Sequence, residues 1–243
     1  MKGIVLAGGS GSRLSPLTDV LSKQMLPIYD KPMIFYPIQT LYDSGIREIL
    51  IISNPEYIGI FESLLSISYF EGLEFKFAVQ QRPEGIPQAL SIGREFIGDD
   101  NIALILGDNV FLNHDFREII FEKDNLKSAK IFGLKVNDPH RFGVAEVDEN
   151  GGLVNIHEKP SEPISDIAVV GLYLYPNDAI EKVKYLKRSD RGEFEITDLN
   201  MEFLKENRLD LAILPEHTQW VDTGTFDSLL DAGNLVRDTK NRM

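Results

Sequence analysis

Short apolar runs alternate with helix-length segments along the first half of the chain. Four of these runs have the length and branched side chains of buried strands: Ile4 to Ala7, Glu48 to Ser53, Phe75 to Val79 and Ile102 to Leu106. The segments between them predict helices from Lys31-Pro32 to Ser44-Gly45, after Pro55, and from Gly85 to Ile97. Strands that alternate with helices indicate an α/β fold with a mostly parallel sheet. Ligands of such sheets bind at the carboxyl ends of the strands.

Shorter strands and turn signals characterise the second half. The predicted strands are Ile131 to Val136, Gly143 to Val147, Leu153 to His157, Val169 to Tyr175 and Leu209 to Leu214. Residues Glu149-Asn150-Gly151-Gly152 indicate a hairpin turn, and helices are predicted at Thr197 to Asn207 and from Thr225 to Lys240. No repeat, low-complexity tract or linker is present in the sequence. We therefore predict one compact domain, with halves at 1–110 and 111–225 and a C-terminal helix.

A glycine-rich stretch follows the first predicted strand and consists of Gly8, Gly9, Ser10, Gly11 and Ser12, followed by Arg13. Three glycines among four residues let backbone N–H groups turn inward and let a bulky anion approach closely. Arg13 and Lys23 add positive charge. The stretch is not a dinucleotide fingerprint, because Leu14 stands where the third glycine belongs, and no P-loop string occurs. A phosphate-binding loop and an ordinary glycine-rich turn remain the two interpretations.

The composition narrows the functional class. The 243 residues carry a net charge of −13, which argues against a nucleic-acid partner because such surfaces are basic. The sequence has no cysteine, which excludes disulfides and thiolate metal sites, and no apolar run as long as a membrane span. We therefore expect small-molecule partners, no membrane partner and a cytoplasmic location.

Two aspartates and one amide-rich stretch are candidates for ligand contacts. Asp108 follows the strand that ends at Leu106, and Asp222 lies in the string WVDTGT. Mg²⁺ usually takes one or two protein carboxylates together with substrate phosphates and waters, so the pair is a candidate magnesium site. Each aspartate taken alone also suits a turn or a helix cap. The stretch Gln80 to Ala89 offers amides that can read a planar base, although these residues by themselves favour a polar loop that enters a helix.

The order of these motifs resembles the glucose-1-phosphate thymidylyltransferase family of sugar-nucleotide pyrophosphorylases. The N-terminal signature comprises LAGGSGSRLSPLT, Lys23 and LPIYDKPMIFYP. Later matching strings are Asp138 to Val144, His157 to Pro160, Gly171 to Tyr173 and Arg191 to Asp198. The sequence departs from the family pattern at Ser12 (usually Thr), Phe142 (usually Tyr), Ile86 (usually Leu) and Pro87 (usually Ala). The resemblance covers nearly the whole chain.

The resemblance implies a three-layer, Rossmann-like nucleotidyltransferase fold of the nucleotide-diphospho-sugar transferase type, with a small β-rich sugar-binding portion. It also implies Mg²⁺-dependent transfer of a nucleotidyl group from dTTP to glucose 1-phosphate, and a homo-oligomer, either a dimer or a tetramer. The implied catalytic residues are Arg13, Lys23, Asp108, Lys159 and Asp222, of which Asp108 and Asp222 hold the metal. The implied nucleotide-binding residues are Leu6, Gly8, Gly9, Gly11, Ser12, Arg13, Gln80, Gly85 and Asp108. The implied sugar-phosphate-binding residues are Gly143, Glu158, Lys159, Gly171 and Arg191.

Three alternatives stay open at this point. The first is a preference for UTP, since thymine differs from uracil by one methyl group, and the second is the use of another hexose 1-phosphate. A non-catalytic regulatory protein of the same fold is the third. Longer members of the family continue beyond the last helix into segments that form a regulatory nucleotide site. We therefore expect a short form without that site.

Overall fold

The structure is a computed structural model and describes residues 1–67, 69–117 and 126–241. These residues form two units, each assembled from separate segments of the chain. Unit 1 contains the described residues of Met1–Lys2, Pro83–Leu104 and Glu122–Glu216. Unit 2 contains those of Gly3–Arg82, Ile105–Phe121 and His217–Met243.

The strands and helices are as follows in chain order. The strands are β1 (Lys2–Ala7), β2 (Pro27–Ile28), β3 (Lys31–Pro32), β4 (Glu48–Ser53), β5 (Glu74–Val79), β6 (Ile102–Leu106), β7 (Asn109–Leu112), β8 (Ala129–Lys135), β9 (Gly143–Val147), β10 (Leu153–Glu158), β11 (Ile167–Tyr175), β12 (Leu209–Ile213) and β13 (Gln219–Asp222). The helices are α1 (Phe35–Asp43), α2 (Ile58–Leu65), α3 (Gln88–Ile92), α4 (Arg94–Ile97), α5 (Ala179–Val183), α6 (Ile196–Lys205) and α7 (Phe226–Lys240). Short 3₁₀ turns occur at Ser12–Leu14, Lys23–Met25 and Pro139–Arg141.

Unit 2 is built on parallel strands. β1 pairs with β4 in a register that sets Gly3 opposite Ile49, and β4 pairs with β5 so that Glu48 lies opposite Glu74. Five of the six residues of β4 are buried, as expected of a central parallel strand that is covered on both faces. Two small antiparallel pairs complete the unit, β2 with β3 and β7 with β13. The predicted α/β class with a mostly parallel central sheet is confirmed.

One hydrophobic cluster of unit 2 fixes the segments that carry candidate site residues. Its buried members are Leu14, Leu26, Ile28, Met33, Tyr36, Val110, Ala232 and Val236, and Val221 packs against them. Leu14 follows Arg13, Val110 follows Asn109 and Val221 precedes Asp222. Because interiors are packed as densely as organic crystals, burial of these neighbours fixes the backbone at each candidate residue.

Unit 1 is mainly antiparallel. β8 pairs in parallel with β12 and antiparallel with β11, and β11 continues antiparallel through β9 to β10. All nine residues of β11 are buried. The turn between β9 and β10 is closed by Asp148, whose carboxylate accepts hydrogen bonds from the N–H groups of Asn150 and Gly152, each at 2.8 Å. This turn is the predicted hairpin.

Two predicted helices begin later than expected. Lys31-Pro32 forms β3, and α1 begins only at Phe35. The N–H groups of Met33 and Ile34 donate to the carbonyls of Leu26 and Gln24, so this stretch is held by loop contacts and not by helical ones. The helix predicted at Gly85 to Ile97 is instead two short helices separated at Gly93.

Four strands were not predicted, namely β2, β3, β7 and β13. β7 and β13 pair with each other, so that Asn109 lies opposite Asp222. None of the helices in the described ranges combines the length and the hydropathy that crossing a bilayer requires.

Candidate active site

The glycine-rich stretch after β1 lines a small cavity in unit 2. Gly9 and Gly11 have φ angles of +95° and +60°, which L-residues with a side chain rarely adopt. Asn54 fixes the loop, because its side chain accepts from the Gly9 N–H at 3.3 Å and donates to the Gly9 carbonyl at 3.0 Å. The cavity has a volume of about 250 Å³ and is lined by Gly8, Gly9, Ser10, Gly11, Ser12, Arg13, Lys23, Gln24, Asp108 and Gly224. We call it the loop cavity.

Gly8 is glycine because Gln80 lies against it. A Cβ on Gly8 would lie 2.0 Å from the Gln80 Oε1 atom, a distance that two such atoms do not adopt. Gln80 is buried and its backbone N–H donates to the Ser53 carbonyl at 2.8 Å. The predicted base-reading amide therefore lies beside the glycine-rich stretch.

Lys23 and Asp108 form an ion pair at the loop cavity. The Lys23 Nζ atom donates to Asp108 Oδ2, and the side chains are 9% and 21% exposed. Burial alone would raise the pKa of Asp108, but the Lys23 ammonium and the hydrogen bonds from Lys23 and Asn109 outweigh burial and lower that pKa. Asp108 is therefore a carboxylate at neutral pH.

The orientation of Asp108 depends on two residues that the sequence analysis did not assign to the site. The Asn109 Nδ2 atom donates to Asp108 Oδ1 at 3.0 Å, and the Trp220 Nε1–H donates to Asn109 Oδ1 at 2.7 Å. Because an indole N–H can only donate, it requires the Asn109 oxygen to face Trp220 and the Asn109 amide nitrogen to face Asp108. Trp220 therefore acts on Asp108 through Asn109.

Asp108 and Asp222 are brought close by the pairing of β7 with β13. Asp222 lies opposite Asn109, and the Thr223 hydroxyl donates to the Asp108 carbonyl at 2.8 Å. Carboxylate oxygens are the ligands that Mg²⁺ prefers, and two of them with substrate oxygens make a usual magnesium site. The described residues contain no group of three or more His, Cys, Asp or Glu side chains that could hold a metal by themselves. The donor set therefore fits a Mg²⁺ ion that arrives with a phosphate ligand.

Arg13 lies against Gly224. A Cβ on Gly224 would be 2.8 Å from Arg13 Nη2 and 3.1 Å from its Cζ, so glycine is what allows the guanidinium to lie there. Gly224 was not among the predicted site residues. Its signal in the sequence was its position in the string WVDTGT, two residues after Asp222.

Unit 1 holds a second charged cluster, formed by Glu158, Lys159, Ser189, Arg191, Glu195 and Thr197, which we call the Arg191 cluster. Arg191 Nη2 donates to Glu158 Oε1 at 3.1 Å and to Glu195 Oε2 at 2.7 Å. The Thr197 hydroxyl donates to Glu158 Oε2 at 2.6 Å, and Lys159 Nζ lies 3.6 Å from Glu158. Gly143 faces the same group, since a Cβ there would lie 3.4 Å from Thr197 Oγ1.

The charges of the Arg191 cluster shift the pKa values of Arg191 itself and of the nearby Asp198. Partial burial would lower the pKa of Arg191, but the hydrogen bonds and charge of Glu195, together with Glu158, raise it. Burial and the charges of Glu195 and Glu158 raise the pKa of Asp198. The cluster therefore combines the cations Lys159 and Arg191 with the carboxylates Glu158 and Glu195, and Asp198 lies close to it.

The predicted residues thus fall into two groups. Those of unit 2 are Leu6, Gly8, Gly9, Gly11, Ser12, Arg13, Lys23, Gln80, Asp108 and Asp222. Those of unit 1 are Gly85, Gly143, Glu158, Lys159, Gly171 and Arg191. Gly85 has a φ of +117°, and a Cβ there would lie 2.0 Å from the Phe194 carbonyl oxygen, so packing alone requires glycine at this position.

The chain is similar to known nucleotidyl transferases over almost its full length. The family model for nucleotidyl transferase matches residues 2–239. A glucose-1-phosphate thymidylyltransferase of Neisseria gonorrhoeae is 48% identical over 242 residues, which cover 99% of this chain and 84% of that protein. The enzyme of the same name from Mycolicibacterium smegmatis is 45% identical over 242 residues, and the match covers 100% of this chain and 84% of that protein.

Solved structures agree with these relatives. A Bacillus anthracis protein, described as a glucose-1-phosphate thymidylyltransferase in complex with a sucrose, is 42% identical with a TM-score of 0.90, and the match covers 98% of this chain and 96% of that one. A UDP-glucose pyrophosphorylase complexed with UDP-glucose has a TM-score of 0.86 at 24% identity, over 98% of each chain. At 24% identity, the similarity to this second structure supports only a shared fold.

Proposed function

Because this chain belongs to the nucleotidyl transferase family, we propose that it transfers the thymidylyl group of dTTP to α-D-glucose 1-phosphate, forming dTDP-glucose and pyrophosphate. The observation that carries the proposal is the loop cavity, where positive-φ glycines, Arg13, Lys23 and the ionised Asp108 line one space. The identity of 45–48% to enzymes named glucose-1-phosphate thymidylyltransferase supports the choice of substrates.

The residues of unit 2 are proposed to bind the nucleotide. The backbone N–H groups of the glycine-rich stretch and the Arg13 guanidinium suit the triphosphate, since both offer several donors to an anion. Gln80 suits the base, because an amide presents a donor and an acceptor together. The proposed nucleotide-binding residues of unit 2 are Leu6, Gly8, Gly9, Gly11, Ser12, Arg13, Gln80 and Asp108, and the proposed set also includes Gly85 of unit 1.

The residues of the Arg191 cluster are proposed to bind glucose 1-phosphate. Lys159 and Arg191 suit its phosphate, and the Glu158 carboxylate suits sugar hydroxyls, which can donate to it. Gly143 and Gly171 complete this proposed set. Gly143 leaves open space beside Glu158 that a side chain would fill, since a Cβ there would lie 3.7 Å from Glu158 Oε2.

The proposed reaction is an in-line displacement at the α-phosphorus of dTTP. A phosphate oxygen of the sugar phosphate forms the new P–O bond, the bond from the α-phosphorus to the bridging oxygen breaks, and pyrophosphate leaves with the electron pair. No general base is required, because a phosphate monoester with a second pKa of about 6 is largely ionised at pH 7. Arg13 and Lys23 counter the charge of the departing pyrophosphate, and Lys159 and Arg191 hold the attacking phosphate.

Asp108 and Asp222 are the proposed ligands of a divalent metal, for which we propose Mg²⁺. When bound, such an ion would neutralise phosphate charge as it develops in the transition state. The residues of the chain prepare the site, since Asn109 and Lys23 hold the Asp108 carboxylate ionised and oriented.

The experiment that tests the proposal measures pyrophosphate release by the purified protein with glucose 1-phosphate and Mg²⁺, with dTTP and UTP in parallel. We expect release with dTTP, slower release with UTP, and none after addition of EDTA. One methyl group in a binding pocket allows a preference for dTTP over UTP of about 10- to 200-fold. A preference for UTP would overturn the nucleotide assignment, and a requirement for another hexose 1-phosphate would overturn the sugar assignment. Absence of release with every sugar phosphate and nucleotide would favour the non-catalytic alternative.

Three further parts of the proposal await their own tests. We propose a single-domain organisation with halves at 1–110 and 111–225, a homo-oligomer that is a dimer or a tetramer, and a cytoplasmic location. Light scattering during size-exclusion chromatography measures the oligomeric state directly.

A further inference from the structure

We infer that Glu195 is a positioning residue for the sugar phosphate, because its buried carboxylate orients the Arg191 guanidinium. The inference rests on the proposed function, in which Arg191 binds the phosphate of glucose 1-phosphate. Glu195 was part of a string that matched the family pattern, but it had no predicted role.

Arg191 lies in a tight turn between the bridge-paired residues Arg188 and Phe194. The Gly192 N–H donates to the Ser189 carbonyl and the Ser189 N–H donates to the Glu193 carbonyl, both at 2.8 Å. The Arg191 side chain is 44% exposed. An arginine in such a position would ordinarily sample several rotamers, and fixing it costs side-chain entropy.

Glu195 restricts Arg191 by two parallel hydrogen bonds. Arg191 Nε donates to Glu195 Oε1 at 3.2 Å, and Arg191 Nη2 donates to Oε2 at 2.7 Å. This bidentate arrangement fixes the plane of the guanidinium as well as its position. Glu195 is only 8% exposed, and a buried carboxylate needs such partners because its desolvation is otherwise unfavourable.

Ser189 fixes the carboxylate in turn. Its hydroxyl donates to Glu195 Oε1 at 2.6 Å. Ser189 therefore holds the Glu195 carboxylate, and Glu195 holds the Arg191 guanidinium. Both contacts are side-chain hydrogen bonds, and Ser189 and Arg191 lie in the turn that Glu195 directly follows.

The remaining edge of the guanidinium stays open. Arg191 Nε and Nη2 are engaged by Glu195 and Glu158, whereas Nη1 makes no hydrogen bond to any residue in the described ranges. Phosphate oxygens accept from such an edge. Glu195 thus occupies one side of Arg191 and leaves the N–H groups of Nη1 for the substrate.

A purely structural role for Glu195 would be to cap helix α6, which it precedes. Its side chain makes no capping hydrogen bond to that helix. The hydrogen bonds that the Glu195 carboxylate accepts come from Ser189 and Arg191. The carboxylate is therefore directed at the turn that carries Arg191.

The test is a double-mutant cycle with Glu195→Gln and Arg191→Ala, measured by pyrophosphate release. Glu195→Gln should raise the KM for glucose 1-phosphate about tenfold, the factor that loss of one charge-assisted hydrogen bond produces. The KM for dTTP should stay within about twofold, since Glu195 is not in the proposed nucleotide set. In the Arg191→Ala background, Glu195→Gln should have no further effect on the KM for glucose 1-phosphate, because the residue acts through Arg191.

Glu202→Gln is the matched control, because Glu202 lies on α6 and, among the residues that the structure describes, its ion-pair partner is Lys205 at the exposed surface. It should leave both KM values unchanged. Ser189→Ala removes the supporting hydroxyl without removing a charge, and it should raise the KM for glucose 1-phosphate by about threefold. This variant tests the same chain of contacts if Glu195→Gln does not fold.

Equal changes in the KM values of both substrates, or an undiminished effect of Glu195→Gln in the Arg191→Ala background, would overturn the inference. So would an unchanged KM for glucose 1-phosphate in both Glu195→Gln and Ser189→Ala, with an active wild-type protein. A wild-type protein that does not use glucose 1-phosphate would overturn the proposed function itself, and this result is distinct from the others.

Discussion

At the scale of single residues, the glycines of the loop cavity are defined by what lies beside them. Gly8 leaves room for Gln80, and Gly224 leaves room for the Arg13 guanidinium. A side chain at position 8 would meet the buried Gln80 amide, whereas a side chain at position 224 would meet the end of the flexible Arg13 side chain. A substitution at position 224 therefore tests the site and not the fold.

Gly224→Ala should lower kcat by about 10- to 100-fold, because its Cβ displaces the Arg13 guanidinium and a misplacement of about 1 Å can cost that much. The melting temperature should change little, since the Arg13 side chain can move away. The measurement is steady-state pyrophosphate release together with thermal unfolding.

Gly59→Ala is the control for this change. Gly59 is helical, and a Cβ there would meet no described atom within 4 Å apart from those of its chain neighbours and the adjacent helix backbone. Unchanged kinetics in Gly224→Ala would mean that the position of Arg13 does not matter for turnover.

Asp108→Asn should lower kcat by about 100-fold or more, the usual effect of removing one stabiliser of transition-state charge. The amide is a poor metal ligand and leaves Lys23 without its carboxylate partner. Steady-state kinetics at saturating Mg²⁺ measure the effect, and circular dichroism checks the fold. Asp178→Asn is the control, because Asp178 is an exposed aspartate paired with Arg208. Activity close to that of the wild type in folded Asp108→Asn would contradict the metal role.

Sequence reasoning proposed the charged residues of the candidate site but did not propose the residues that orient them. Arg13 and Asp108 lie close to a glycine and a strand end, which are signals that can be read locally, and Lys23 was assigned from the family signature. Asn54 bonds to Gly9, 45 residues away, and Trp220 bonds to Asn109, 111 residues away. Asn109, held by Trp220, orients its neighbour Asp108. No local pattern predicts a bond of that kind.

At the scale of elements, helix α7 carries its own start signal. Thr225 Oγ1 accepts from the Ser228 N–H at 3.2 Å, and Ser228 Oγ accepts from the Thr225 N–H at 3.0 Å, which together form a capping box. The helix buries Ala232 and Val236 in the hydrophobic cluster of unit 2. The prediction that the last helix begins at Thr225 is confirmed to within one residue.

Thr225→Ala should lower the free energy of unfolding by about 1 kcal/mol, because it leaves an N–H of the first turn without its acceptor. For a chain of this length, the melting temperature should fall by about 2–4 °C. Differential scanning fluorimetry measures the shift. Thr225→Ser keeps the hydroxyl and should retain most of the stability. An equal loss in both variants would mean that the threonine methyl group, not the cap, matters.

Elements that depend on distant partners were predicted less well. β7 and β13 are four residues each and pair with one another, and both were missed. The start of α1 was misplaced because Met33 and Ile34 donate their N–H groups to the preceding loop. Short strands and helix starts of this kind are decided by contacts that form only in the folded chain.

At the scale of the whole molecule, the main property is the excess of acidic over basic side chains. The chain has 38 acidic and 25 basic side chains, which gives the net charge of −13. Cations nevertheless gather at Arg13 and Lys23 in unit 2 and at Lys159 and Arg191 in unit 1. The global charge therefore does not exclude anionic substrates, because binding depends on local charge.

Added salt should stabilise the protein, since screening weakens the repulsion among the excess carboxylates more than it weakens paired charges. Raising NaCl from about 20 mM to about 300 mM should raise the melting temperature by about 2 °C, a shift worth less than 1 kcal/mol. Thermal unfolding at matched pH measures it, with an equal osmolality of sucrose as the control. A fall in melting temperature would mean that the surface ion pairs outweigh the net repulsion.

The sequence by itself determined the α/β class, the central strands and the last helix, and it supplied the site residues as predictions. These features depend on local periodicity and on strings such as the glycine-rich stretch, which physical chemistry constrains within a few residues. Only the tertiary structure decided that Trp220 orients Asn109, that Gly224 accommodates Arg13 and that Glu195 holds Arg191. Those relations depend on which segments the buried core brings together, and the distances between side chains exist only once that core has formed.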